Sequence, residues 1–77
     1  MPSISLAERV GANVRAEMAR HKVSQVALAE QLDMAQQALS RRISGQTAFK
    51  VDELHRVAEI LGVPTSVLMG DEQRASA

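Results

Sequence analysis

The sequence predicts an all-α fold, a compact domain of five helices. Three observations predict it. Apolar residues recur at helical spacing, as in Leu6, Val10, Val14 and Met18, and no stretch alternates apolar and polar residues as a half-buried strand does. Gly45, Gly62 and Gly70 fall where helices should stop, and Pro64 falls where one can start. The chain has 77 residues, enough for one domain with a modest core, and its 45% apolar content argues against wholesale disorder. With Phe49 the only aromatic residue, that core must be aliphatic.

The first helix is expected over Ser5 to Arg20, with Leu6, Val10, Val14 and Met18 as its buried stripe. Gly11 interrupts it at a cost of about 1 kcal/mol relative to alanine, which close packing against a neighbour would explain. Ser24 is a good N-cap for a second helix ending near Leu32, with Val26, Ala29 and Leu32 inward and Leu28 alongside. A third helix should run from Ala35 to Ser44. A fourth should start at Val51 or Asp52, where Asp52 and Glu53 suit its positive end, and bury Leu54, Val57, Ala58 and Leu61. Thr65 to Met69 form a short fifth helix behind Pro64. The expected domain spans residues 1–70, and residues 71–77 read as a flexible tail.

Composition narrows the function. The chain has no cysteine, so disulfides and thiolate metal sites are ruled out. Too few other ligands stand at suitable spacing for a metal, and His21 and His55 read as surface residues. A five-helix domain of this size leaves little room for a catalytic cleft, so neither an enzyme nor a cofactor is expected. No apolar run approaches the roughly 20 residues of a membrane helix, and the N-terminus lacks a signal peptide's pattern, both compatible with an intracellular, cytoplasmic location. Net charge is zero but uneven. Residues 1–50 hold seven Lys/Arg against four Asp/Glu, and residues 51–77 hold two against five. From Met34 to Val51 there is no acidic residue, while Arg41, Arg42 and Lys50 lie inside that stretch, the natural place for a polyanion.

Residues 24–45 carry the most information. About three residues join the second and third helices, which suits the sharp crossing of a helix-turn-helix. Ala29 is small enough for the crossing, and Asp33 tolerates the unusual backbone that the turn needs. With Ala35, Leu39 and Ile43 inside, the outward arc of the third helix carries Gln36, Gln37, Ser40, Arg41 and Ser44. All five can donate hydrogen bonds and none is acidic. Glutamine matches N6 and N7 of adenine, and arginine matches O6 and N7 of guanine. An ordinary solvated face mixes in acids, as the outer face of the fourth helix does with Asp52, Glu53, Arg56 and Glu59.

Ser24-Gln25 followed by Ala29, the turn at Asp33-Met34, then Gln36-Gln37, Leu39-Ser40-Arg41 and Gly45 resemble the Xre family, the domain of lambdoid phage repressors and Cro proteins. The stretch from Asp52-Glu53-Leu54 to Ala58, with Leu61-Gly62-Val63, resembles that family's fourth helix and its exit. The similarity covers roughly residues 6–69. Two positions depart from the pattern. Asp33 stands where glycine is usual, and Arg42 stands where an apolar residue is usual, with Ile43 as the candidate to take over the core position.

The resemblance implies a transcriptional repressor of phage or mobile-element type that sets its third helix in the major groove of double-stranded DNA. Gln36, Gln37, Ser40 and Arg41 would contact bases. Gln25, Gln46, Thr47 and Lys50 would contact phosphates, and Arg42 joins them as a further phosphate candidate. A homodimer on a palindromic operator is the usual partner arrangement, and Val63, Val67, Leu68 and Met69 are candidates for its interface. An antitoxin or restriction-control protein would use the same residues in another role. A helical protein–protein adaptor is the alternative from a different class, and the acid-free arc argues against it.

Overall fold

The computed structural model describes residues 5–70. Among them lie five helices and no strand: α1 (Leu6–His21), α2 (Gln25–Gln31), α3 (Gln36–Ser44), α4 (Val51–Leu61) and α5 (Thr65–Met69). The tail expected at residues 71–77 lies outside the described residues.

The ends of these helices follow local chemistry. At the start of α1 the Ser5 hydroxyl accepts from the Glu8 amide at 3.1 Å, and the Glu8 carboxylate accepts from the Ser5 amide at 2.8 Å, a reciprocal capping box. Ser24 caps α2 by accepting from the Ala27 amide at 3.1 Å. Asp33 takes a left-handed conformation, φ 55°, in the turn between α2 and α3, as its place in the sequence required. Lys22 does the same at the end of α1, φ 57°, with no glycine to announce it.

The core is aliphatic: Val10, Val14 and Met18 from α1, Leu28 and Ala29 from α2, Leu39 and Ile43 from α3, Leu54, Val57, Ala58 and Leu61 from α4, and Leu68 from α5. Phe49 and Met34 pack against its edge. Three inward assignments differ from expectation. Leu6 is 57% exposed, because it sits in the first turn of α1 on the rim of an apolar hollow it shares with Val10, Phe49, Val51, Leu54 and Met69. Val26 is 52% exposed, and Leu28 and Ala29 form the buried edge of α2 instead. Ala35 is exposed as the residue preceding α3. The core also takes in Glu17, whose carboxylate accepts from Arg20 at 3.1 Å.

Two glycines let α1 and α3 touch backbone to backbone. A Cβ on Gly11 would meet the Ile43 carbonyl, with the carbonyl carbon at 2.8 Å and the Arg42 carbonyl oxygen at 2.9 Å. Gly45 ends α3 with φ 90°, and a Cβ there would lie 2.7 Å from Glu8 Cα. At Gly11 the groups met are all main chain, and at Gly45 they are the Glu8 main chain and its Cγ; the main-chain atoms cannot rotate aside.

Gly11→Ala should therefore cost stability by overpacking, about 1–3 kcal/mol, even though alanine is the better helix former. An unchanged or raised melting temperature would show that the backbones do not touch. Leu39 is fully buried, so Leu39→Ala should cost roughly 2–5 kcal/mol in chemical denaturation. A value near zero would mean that Leu39 does not face the core.

Candidate nucleic-acid interface

The orientation of α3 decides which side chains are offered to solvent. Leu39 and Ile43 are one helical turn apart and both buried, so the opposite side must face out. Gln37, Ser40, Arg41 and Ser44 are exposed there, within an arc of about 100° at 100° per residue, and Gln36, which lies on the same side as Ile43, is exposed because it opens the helix. The Ser44 hydroxyl donates to the Arg41 carbonyl at 3.0 Å, so its proton stays within the helix. Among the described residues, Arg41 has no carboxylate partner.

The other expected site residues lie beside this arc in the chain. Gln25 is the first residue of α2 and half-buried. Gln46, Thr47 and Lys50 are exposed in the connection from α3 to α4. That connection is anchored at both ends. The Thr47 amide donates back to the Arg41 carbonyl at 3.2 Å, and the Lys50 amide donates to the Glu53 carboxylate at 2.9 Å. Phe49 tucks inward against the core.

Arg42 departs from its expected role as a phosphate contact. Its Nε donates to Glu53 Oε1 at 2.9 Å and its Nη2 to Oε2 at 3.3 Å, a forked pair, while Nη1 donates to the Ala38 carbonyl at 3.0 Å. The two side chains are only 15% and 19% exposed. The guanidinium is used inside the fold, and Ile43 fills the core position, as the departure from the family pattern suggested. Of the adjacent pair, Arg41 is the outward arginine.

Glu53 departs from expectation as well, since it read as a member of a solvated face and is half-buried, whereas Arg56 is exposed as that reading had it but also makes a contact to another helix. Glu53 ties α4 to α3 through Arg42, and Arg56 Nη2 donates to the Gln31 carbonyl at the end of α2 at 2.7 Å. The fourth helix thus braces both members of the helix pair. Neither interaction was legible from helical periodicity, because the partners are 11 and 25 residues away. The one signal was Arg42 itself, a charge at a position that should be apolar and so in need of a partner.

Partial burial alone would raise the Glu53 carboxyl. The Arg42 hydrogen bond, the Lys50 amide and the charges of both residues outweigh burial and hold it below the usual glutamate range. A carboxyl depressed by folding stabilises the fold above its unfolded value, and that contribution is lost as pH falls through the folded value. Glu53→Gln should lower stability at neutral pH by about 1–3 kcal/mol, because it leaves Arg42 half-buried without its anion. It should also shrink the loss of stability between neutral pH and about pH 3. Equal acid-induced losses in the two proteins, measured by denaturation, would contradict the pairing.

No helix of the described residues is long and apolar enough to cross a membrane. Residues 14–68 match the model of a protein family described as helix-turn-helix, a span that includes α2, α3, α4 and the connections between them. A comparison with curated proteins finds no match.

Proposed function

Because the chain belongs to the family of Xre-, Cro- and CI-like helix-turn-helix proteins, which are DNA-binding regulators, we propose that it regulates transcription by laying α3 in the major groove of duplex DNA. The observation that carries this reading is the exposed, acid-free arc of Gln36, Gln37, Ser40 and Arg41. Gln36 and Gln37 stand at the front of α3, where side chains of a docked helix reach base edges, and each can pair with N6 and N7 of adenine. Arg41, one turn further on and without a carboxylate partner among the described residues, suits O6 and N7 of guanine. Ser40 lies between them as a further donor.

Gln25, Gln46, Thr47 and Lys50 are the proposed phosphate contacts, which set register without reading sequence. Arg42 is left out of this set, since Glu53 holds it. The role is that of a repressor of phage or mobile-element type, which blocks a promoter by occupying it. One such domain makes a small contact, so the reading includes a homodimer on two half-sites about one helical turn apart. Leu68 is fully buried and unavailable for that interface, which leaves Val63, Val67 and Met69, all half-buried, as its candidates.

Selection of binding sites from random duplex DNA should return one preferred site. Replacing both Gln36 and Gln37 with alanine should then reduce discrimination by about 1–3 kcal/mol for each glutamine–adenine pair it abolishes. The weak, salt-sensitive binding to unrelated duplex should remain, because no phosphate-binding group is altered. Undiminished preference for the selected site in competition would refute the groove assignment.

A further inference from the structure

We propose that Arg15 of α1 is a further phosphate contact of this interface: it stands in an open cleft between α1 and the last turn of α3, and meets the DNA backbone beside the outward arc. The proposal rests on the DNA-reading assignment above and extends it to a helix outside the helix-turn-helix.

The cleft carries the inference. Ala12, Arg15, Ala16 and Ala19 form its α1 wall, and Ile43 and Ser44 form its α3 wall, around a volume of about 530 Å³. Ser44 is exposed and belongs to the same outward side of α3 as Gln37, Ser40 and Arg41. The cleft therefore opens directly beside the proposed DNA-facing surface. Gly11 lets α1 rest on the α3 backbone at Ile43, and Arg15 lies one turn beyond Gly11 on α1. Each alanine offers only a methyl group, so this flank of α1 stays hollow.

Charge selects the occupant. Arg15 is exposed, is the one cation among the residues lining the cleft, and has no carboxylate partner among the described residues. Glu8 is the one acid lining it. It sits at the Gly45 end, about 10 Å from Arg15 along the helix axis, and its carboxylate accepts from the Ser5 amide. Surface charges separated by about 10 Å are largely screened near 0.1 M salt, so Glu8 does not cancel Arg15.

A docked helix has phosphates on both sides. The major groove is about 12 Å wide and a helix with its side chains is about 10–12 Å across, so whatever packs beside that helix stands over the strands. The proposed contacts at Gln25 and from Gln46 to Lys50 come from α2 and from the far end of α3. Arg15 adds one from α1. Such a contact strengthens binding to every sequence alike and helps to fix how α3 is held.

The test measures affinity for the selected duplex and for an unrelated one, by fluorescence anisotropy between about 50 and 200 mM salt. Arg15→Gln should make the logarithmic salt slope shallower by about 0.9 on both duplexes, so that the loss of affinity over that range shrinks roughly three- to fourfold. Preference for the selected duplex should stay as in wild type. Arg15→Lys keeps the charge and should keep the wild-type slope. Arg9→Gln removes the same charge from an exposed position of α1 beside Gly70, away from the cleft, and should leave the slope near wild type. Ala16→Glu adds a carboxylate to the cleft and should weaken binding to both duplexes. An Arg15→Gln slope equal to wild type, an Arg9→Gln slope as shallow as that of Arg15→Gln, or an effect confined to the selected duplex would each overturn the proposal. So would loss of self-association in Ala16→Glu with duplex affinity unchanged, since the cleft would then seat another copy of the chain. Wild-type protein that binds no duplex would bring down the DNA assignment itself, whereas wild-type binding with an unaltered Arg15→Gln slope removes only the role of Arg15.

Discussion

Where α1 crosses α3, the Ile43 carbonyl fills the space that a side chain at Gly11 would need, and the two backbones rest on each other. Everything that α3 presents follows from that approach. With the carbonyl side of Ile43 pressed against α1, Leu39 and Ile43 have nowhere to go but inward, Gln37, Ser40 and Arg41 must stand outward, and Gln36 is exposed at the open first turn. The second close approach, Gly45 against Glu8, pins the far end of α3 to the first turn of α1. A helix held at two points along its length cannot roll without unpacking the core.

The fourth helix supplies the restraint from the other side. Glu53 holds Arg42 of α3, and Arg56 holds the last carbonyl of α2. A short helix pair with a tight turn has little apolar surface of its own, so part of its alignment comes from these polar interactions. The ion pair sits at a depth where its charges are partly shielded from water, which makes breaking one partner costlier than at an open surface. It also distinguishes the neighbouring arginines: Arg42 is paired within the molecule, and Arg41 is exposed.

Much of this was legible in the sequence, for identifiable reasons. Helix ends were readable because Ser24, Gly45, Gly62 and Gly70 act locally through caps and left-handed conformations, while Ser5 was read as the first residue of α1 rather than as its cap. The phase of α3 was readable because two large apolar residues four apart leave only one way to face a core. Gly11 was readable as a close approach but not as a neighbour of Ile43, since its partner lies 32 positions away in the chain. Leu6 and Val26 were misplaced because periodicity assumes that a helix is covered along its whole length, and both lie in first turns that the neighbouring helices do not cover. Glu53 and Arg56 were hidden for a related reason. A charge on an amphipathic helix reads as solvated until a partner from another element is known.

The most direct measurement is chemical-shift mapping of the ¹⁵N-labelled protein titrated with the duplex recovered by selection. The account predicts that the perturbed backbone amides gather along the outward side of α3, at the start of α2 and over Gln46 to Lys50, while the amides around the apolar hollow at Leu6 and Val51 stay still. Shifts confined to that hollow, with α3 unmoved at saturating duplex, would contradict the account.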